Sequence, residues 1–140
     1  MNNQANNGAN TLLDAEAFEA AYRLLPQAVV RELVEALGSN VVASIGGVRN
    51  NRSVYQWMSG EREPERLPLL RFALQLVFLM RHAGEADKTI GAWFVGVNPR
   101  LADDTPASLL ATADLGQVAG PITNAARAFA GHVNSQRSNA

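Results

Sequence analysis

The sequence predicts an all-α protein, a compact helical bundle. Apolar residues recur three and four positions apart along most of the chain, which is the spacing of one helix face, and no stretch alternates apolar and polar residues as a strand does. Glycine and proline stand between these stretches, where they end one helix or open the next. With 140 residues and 47% hydrophobic content, the chain can bury a core as one typical domain or two very small ones.

Two helices are predicted in the first quarter of the chain. Residues 1–10 are rich in asparagine, have little to bury and are predicted to form a disordered extension. Thr11 to Asp14 resembles a capping box that opens the first helix. Pro26 suits the first turn of a second, amphipathic helix, which Gly38 ends. The apolar positions of the first helix are Leu12, Leu13, Phe18, Tyr22 and Leu25.

Two short helices are predicted next. Ser39 or Asn40 is expected to cap a helix that runs through Ile45. The Gly46-Gly47 pair breaks this helix, and a second one covers about residues 52–59.

This arrangement predicts a helix-turn-helix. A short helix, a glycine turn and a second helix, both packed on a preceding amphipathic helix, match that motif over about residues 27–60, within a helical region of residues 11–62. The residues predicted to hold the two helices together are Ala43, Gly47, Val48, Val54 and Trp57. Short helices joined by glycine turns also occur as plain structure in all-α domains, so a purely structural interpretation stays open.

Polar residues are left outside this scaffold. Arginine, asparagine and glutamine on the N-terminal part of the second helix can make bidentate contacts to guanine and adenine, and hydroxyl or amide groups can donate to phosphates. The candidate DNA-binding residues are Arg49, Asn50, Asn51, Arg52, Ser53, Tyr55 and Gln56, with Ser39 and Asn40 on the preceding helix. The net charge of the chain is −1, but residues 39–81 hold six Arg against three Glu, whereas residues 1–38 hold two Arg against five Asp and Glu. This basic excess favours double-stranded DNA as the partner.

A long central helix is predicted in the second half. The apolar residues between Leu67 and Met80 cover more than one side of a helix, which predicts contacts on several sides before the helix ends at Gly84. A further helix over residues 88–97 ends at Asn98-Pro99, because the residue before a proline is pushed out of the helical region.

The last third is also predicted to be helical. Thr105 as N-cap and Pro106 at the first helical position open a short helix. A final segment runs from Asp114 to about Gly131, and Gly120-Pro121 is predicted to kink or split it. The polar residues 132–140 are predicted to form a flexible tail.

The sequence predicts neither an enzyme nor a metal site nor a cofactor. The chain has no cysteine, and its two histidines, His82 and His132, belong to no metal-binding or nucleophile motif. No apolar run reaches the roughly 18 residues of a membrane span, and the N-terminus lacks the pattern of a secretory signal. A cytoplasmic binding protein is the expectation.

The order of its motifs resembles the Xre/MbcA/ParS antitoxin family. The motifs are AxIGGV, then VYQW and SGE, a long apolar helix, and AWFVGVNPRLADDTPASLL. That family joins an Xre-like helix-turn-helix to a toxin-binding domain with the signature Trp, Asn-Pro, Leu, Pro and Leu-Leu, and the resemblance covers about residues 27–131. The matching positions are Trp93, Asn98, Pro99, Leu101, Pro106, Leu109 and Leu110.

The resemblance implies an antitoxin of a type II toxin-antitoxin system. Family members bind a RES-type toxin, an enzyme that destroys NAD, and many repress their own operon by binding its promoter as dimers. Residues 63–131 then correspond to the toxin-binding helical domain, and the apolar excess of residues 67–131 makes that half the better candidate for homodimer pairing. Toxin contacts are expected, at the level of regions, among Trp93, Asn98, Pro99, Pro106, Arg127, Phe129 and His132. Trp93 and the signature leucines equally suit a role in holding the domain together.

Two other functions stay open. The chain can be a stand-alone transcription regulator of phage or mobile-element type, with the same architecture and no cognate toxin. It can also be an interaction module whose helix-turn-helix no longer binds DNA.

Overall fold

The all-α prediction is confirmed. The structure, a computed structural model, describes residues 15–138, with side chains described for residues 15–131. Within these residues the chain forms helices and no strand. The predictions for residues 1–10 and for the cap at Thr11 to Asp14 lie outside the described residues. The helices are α1, described over residues 15–23; α2, Pro26–Leu37; α3, Ser39–Gly46; α4, Asn51–Ser59; α5, Leu67–His82; α6, Asp87–Val95; a 3₁₀ helix, Pro99–Leu101; α7, Pro106–Thr112; and α8, Leu115–Ser138.

Helices α2 and α5 form the centre of the fold. Helix α2 contacts α3, α4, α5 and α6, and α5 contacts α2, α3, α6 and α8. The broad apolar surface of α5 explains its position, because its buried residues occupy more than one side of the helix. These residues are Leu70, Ala73, Leu74, Leu76, Val77, Leu79 and Met80. Burying each of the larger ones contributes about 1.5–3 kcal/mol, so α5 organises the helices around it.

Helix α8 differs from its prediction in two ways. It runs through Pro121 as one helix, and it continues past Gly131 to Ser138. Of the predicted kink or split at Gly120-Pro121, the split is therefore wrong, and so is the predicted end near Gly131. Pro121 leaves the carbonyl of Gln117 without a donor, and Gln117 is exposed, so water can satisfy that carbonyl, while Ile122 is buried and holds the helix on the core. The residues between Gly131 and Ser138 include no glycine or proline, and extending an existing helix is easier than starting one.

Two helix boundaries also change. The cap predicted at Ser39 or Asn40 is not formed, because α3 begins at Ser39 and no side chain caps it. Helix α6 ends at Val95 rather than at Val97, since Gly96 has the extended conformation φ −84°, ψ 149°. The caps that are formed, at residues 50, 98 and 105, belong to the candidate sites described below.

Arg81 ties three helices together. From α5, its Nη1 donates to Glu32 Oε2 of α2 at 2.6 Å, and its Nε and Nη2 donate to the two carboxylate oxygens of Asp87 of α6 at 2.8 and 2.9 Å. The hydrogen bonds to Asp87 raise the pKa of Arg81 above its usual range, and the contact with Glu32 raises it further. Partial burial lowers the pKa but does not cancel this rise. The guanidinium also lies over the ring of Phe78, 5.8 Å from its centroid.

We expect Arg81→Met to lower the free energy of unfolding by about 1–2 kcal/mol, because it leaves two half-buried carboxylates without their shared cation. The matched control is Arg23→Met, since Arg23 forms an exposed pair with Glu19 at 3.1 Å and its loss should cost below about 0.5 kcal/mol. Urea denaturation of both variants measures the difference. Equal losses in the two variants would contradict this role of Arg81.

Candidate functional site

The α3–α4 pair is built around a glycine turn. Residues 47–50 join the two helices, and Gly47 has φ 79°, a left-handed conformation that glycine adopts without strain. Gly46 has no room for a side chain, because a Cβ there would lie 2.6 Å from Cη2 of Trp57. The indole of α4 therefore packs directly against the end of α3.

The residues predicted to hold this pair together do so. Ala43 is 5% exposed, Val54 is fully buried and Trp57 is 4% exposed. Val48 is half-buried against the core, and its N–H donates to the Ala43 carbonyl at 2.9 Å. The scaffold prediction is confirmed, and the outer side of the pair is left to polar residues.

We call this outer side the α3–α4 polar surface. It consists of Arg49, Asn50, Asn51, Arg52, Ser53, Tyr55 and Gln56. Arg49, Asn50, Arg52 and Tyr55 are exposed, and the other three are half-buried. On α3, Asn40 is exposed and Ser39 is half-buried. The predicted DNA-binding residues thus lie at the turn, at the start of α3 and along the first two thirds of α4.

Three asparagines of this site form hydrogen bonds within the protein. Asn51 Nδ2 donates to Asn40 Oδ1 at 2.8 Å, which joins the start of α4 to the start of α3. Asn50 is the N-cap of α4, and its Oδ1 accepts from the Ser53 N–H at 3.4 Å. These bonds fix the position of the N-terminal end of α4 relative to α3.

The charge of the surface comes from two arginines. Neither Arg49 nor Arg52 forms an ion pair with any residue that the structure describes. Arg52, Tyr55 and Gln56 line one shallow groove, which Glu61 borders beyond the C-terminal end of α4. The N-terminal end of a helix favours negative charge, and Glu61 disfavours it at the other end. An anionic partner therefore fits best at the arginine end of the surface.

Arg66 joins this site to α7 in the C-terminal half of the chain. The sequence does not predict this connection. The Nη1 of Arg66 donates to the carbonyl of Ala111 in α7 at 3.1 Å and, more weakly, to that of Ile45 in α3 at 3.5 Å. Its guanidinium lies so close to the turn that a Cβ on Gly47 would be 2.6 Å from Arg66 Cζ. Since these partners are 21 and 45 residues away, no local pattern in the sequence signals them.

A second site lies in the C-terminal half, where α6, the 3₁₀ helix and α8 meet. We call it the C-terminal groove, a cavity of about 400 Å³ open to the surface. The Trp93 ring forms one wall, with its centroid 5.1 Å from that of buried Phe94 and 6.3 Å from that of Phe129. The lining residues are Trp93, Val97, Asn98, Pro99, Arg100, Ala125, Ala128 and Phe129. This lining is mostly apolar, with one amide and one guanidinium.

The loop that carries one wall of the groove is held by local hydrogen bonds. Asn98 caps the 3₁₀ helix through Oδ1, which accepts from the Arg100 N–H at 2.9 Å. The Asn98 N–H donates to the Asp104 carbonyl at 3.0 Å. Thr105 then caps α7, its Oγ1 accepting from the Ser108 N–H at 3.0 Å. The predicted cap at Thr105 is confirmed, and the loop presents Pro99 and Arg100 at the surface.

The predicted toxin-binding residues divide into three groups. Four of them line the C-terminal groove together: Trp93, Asn98, Pro99 and Phe129. Pro106 is buried at the first position of α7, so it supports the fold and does not line the groove. Arg127 is exposed on α8 and is not part of the lining, and the side chain of His132 lies outside the described residues.

Val97 is a lining residue that sequence reasoning missed. It is 68% exposed, although its place in a periodic apolar stretch predicts contact with the core. No signal within the sequence distinguishes it from Val95, which is 53% exposed and does not line the groove. This pair therefore offers matched positions for testing the groove.

Comparisons of this chain with protein-family models, with curated proteins and with solved structures find no match. Among the described residues, no helix is both long enough and apolar enough to cross a membrane. In the same part of the chain, no group of three or more His, Asp or Glu side chains is placed to hold a metal ion.

Proposed function

We propose that this chain is a cytoplasmic antitoxin that binds DNA through the α3–α4 polar surface and a RES-type, NAD-degrading toxin through its C-terminal half. In this proposal α3 and α4 form a helix-turn-helix, and α4 enters the major groove of the operator of the chain's own operon. The observation that carries the proposal is that two different surfaces coexist on one chain. One is polar and basic, and the other is a mostly apolar groove whose lining includes Trp93, Asn98 and Pro99, three signature residues of the family that the sequence resembles.

The DNA half of the proposal is supported by the geometry of α4. Two arginines that form no ion pair within the described part of the chain, a tyrosine and a glutamine stand at the turn and along the exposed side of α4, on a scaffold that buries Val54 and Trp57. Such side chains supply both base readout and phosphate contacts. Two-fold pairing of half-sites is how single motifs of this size gain affinity, so the DNA-binding form is a homodimer.

The toxin half is supported by the C-terminal groove. Its signature residues Trp93, Asn98 and Pro99 come from α6 and the loop that follows, and Phe129 from α8 joins them. Aromatic side chains around a concave apolar surface are typical of the central contacts of a protein interface. Inhibition then needs only binding that covers the toxin's active-site cleft, so the chain itself performs no catalysis and needs no cofactor.

Co-expression with the product of the adjacent reading frame tests this function. We expect the product of that reading frame to arrest growth when it is expressed alone. Co-expression of this chain should restore growth, and the two proteins should co-purify as a stable complex. Failure of both growth rescue and co-purification would exclude the antitoxin function. If operator binding persists in that case, the stand-alone transcription regulator is the better account.

A further inference from the structure

Helix α1 turns its largest apolar side chains away from the core. Phe18 and Tyr22 are 52% and 68% exposed, whereas Ala17 and Ala21 make the contact of α1 with the core and are 0% and 2% exposed. The rings of Phe18 and Tyr22 are stacked, with centroids 6.0 Å apart and planes 13° from parallel. A flat aromatic surface of this kind is unusual where it meets only water.

A cavity lies beside these two rings, between α1 and α5. Its volume is about 330 Å³, and we call it the α1–α5 cavity. Phe18, Tyr22 and Pro68 in its lining are exposed, whereas Ala21 is buried, so the cavity extends from the surface down to the buried side of α1. Its apolar lining consists of Phe18, Ala21, Tyr22, Leu67, Pro68 and Phe72.

Arg71 brings a positive charge into this apolar lining. Its Nη1 donates to the carbonyls of Ala21, Tyr22 and Leu24 at 3.0, 3.0 and 2.7 Å, and its guanidinium lies over the Tyr22 ring, 5.9 Å from the centroid. These carbonyls are neutral, and the dipole of a helix supplies only about half a negative charge at its C-terminal end. Arg71 forms no ion pair with any residue in the described part of the chain, so a net positive charge remains at the cavity.

Two polar groups of the lining have unused hydrogen-bonding capacity. The Nε and Nη2 atoms of Arg71 and the side-chain amide of Gln75 have no hydrogen-bond partner among the described residues. Both side chains are half-buried, yet no described side-chain nitrogen or oxygen is both fully enclosed and unpartnered, so these atoms are accessible to a ligand. Arg71 and Gln75 are four residues apart on α5, which places them on the same side of the helix.

The dimensions of the cavity favour a small molecule over a protein. If a whole aromatic side chain presents about 200 Å², Phe18 and Tyr22 together expose roughly 240 Å². A stable protein complex buries about 800 Å² on each partner, which is far more. A volume of about 330 Å³, with an apolar lining and a few convergent polar groups, is instead typical of a small-molecule site.

We propose that the α1–α5 cavity binds a small aromatic carboxylate. The aromatic body of the ligand packs against Phe18, Tyr22 and Phe72, and its carboxylate accepts hydrogen bonds from Arg71 and from the Gln75 amide. Arginine and carboxylate form a strong, often bidentate pair, and the negative charge of the ligand supplies the counter-ion that Arg71 lacks. The cavity shares no residue with the α3–α4 polar surface or the C-terminal groove, so this ligand is additional to the partners of the proposed function.

A charged probe and its neutral analogue test the role of Arg71. We expect isothermal titration calorimetry of the full chain to give a Kd on the order of 100 µM for 2-naphthoate, an aromatic carboxylate with a flat body. The neutral 2-naphthamide should bind at least about 10-fold more weakly, because it leaves the arginine charge unpaired. A wild-type chain that does not bind 2-naphthoate, or that binds the two probes equally, would overturn the proposal.

Gln75→Glu supplies the missing counter-ion from the protein itself. The substitution keeps the size of the side chain and places a carboxylate one turn from Arg71. We expect it to weaken 2-naphthoate binding by about 10-fold or more and to leave 2-naphthamide binding unchanged. The matched control is Gln117→Glu, an exposed position on α8 outside the lining, which should keep both affinities. If Gln75→Glu retains the preference for 2-naphthoate, its carboxylate does not meet Arg71 and the proposal is wrong.

The two tyrosines of the chain test the position of the aromatic body. Tyr22 and Tyr55 are 68% and 57% exposed, but only Tyr22 lines the α1–α5 cavity. We expect Tyr22→Ala to weaken the binding of both probes about 3-fold to 10-fold, because it removes one aromatic wall, and Tyr55→Ala to change neither affinity. Far-UV circular dichroism of each variant checks that the helices are retained. Wild-type affinity for 2-naphthoate in Tyr22→Ala would place the probe elsewhere and contradict the proposed site.

Discussion

Replacing Arg52 by alanine is expected to weaken binding to the operator by about 1–3 kcal/mol per half-site, which is roughly 5-fold to 150-fold in affinity. Arg52 is the second residue of α4, is exposed and has no ion-pair partner among the described residues. It also shares its groove with Tyr55 and Gln56, and in the proposed function this groove faces the base edges of the operator. Fluorescence anisotropy with the DNA upstream of the chain's own gene measures the effect.

The control for this prediction is Lys88→Ala. It removes the same charge from an exposed position at the start of α6, a helix that takes no part in the α3–α4 polar surface. We expect this variant to bind the operator nearly as the wild type does. For the wild type, affinity should fall steeply as salt rises, because phosphate contacts release bound cations. If Arg52→Ala leaves both the affinity and the slope of this salt dependence unchanged, Arg52 is not at the DNA interface.

Val97→Lys is expected to weaken the complex with the toxin by at least about 2 kcal/mol, roughly 30-fold in affinity. Val97 lines the C-terminal groove and is 68% exposed, so the substitution introduces a charge into the groove without removing a core side chain. Arg100 lies in the same lining, so the new ammonium gains no counter-ion there and has to be desolvated when the toxin binds. Surface plasmon resonance with the co-purified toxin measures the affinity.

Val95→Lys provides the matched control for the groove. Val95 is the same residue type, is 53% exposed and lies two positions away outside the groove lining. We expect its complex with the toxin to keep wild-type affinity. Similar losses for the two variants would mean that the groove is not the binding surface, even if the complex itself exists.

The local features of this fold could be predicted from the sequence because their causes are local. Proline and glycine at Pro26, Gly38 and Gly60 mark helix boundaries that the structure has. The cap at Thr105 could be predicted because its hydroxyl stands three residues before Ser108, whose N–H it accepts. The buried position of Trp57 could be predicted from its spacing on a short helix. These arguments need only neighbours within one or two turns.

The features that were missed depend on distant residues. Arg66, Arg71 and Arg81 each reach partners more than 20 residues away, and arginine on a helix surface looks the same in sequence whether or not it has such partners. Periodicity identifies Phe18 and Tyr22 as one apolar face but does not reveal whether the core or a second molecule covers it. Pro121 predicts a kink or a split in α8, and the exposure of its surroundings, which lets the helix continue through it, is a tertiary property.

In the proposed function, this chain neutralises a toxin that degrades NAD. The most direct test of this function is the rate of NAD loss catalysed by the purified product of the adjacent reading frame, measured with and without the chain. The proposed function predicts that the rate falls to the background value once the chain matches the enzyme in concentration, and that Val97→Lys requires a large excess to do the same. An unchanged rate of NAD loss at saturating wild-type chain would contradict the proposed function.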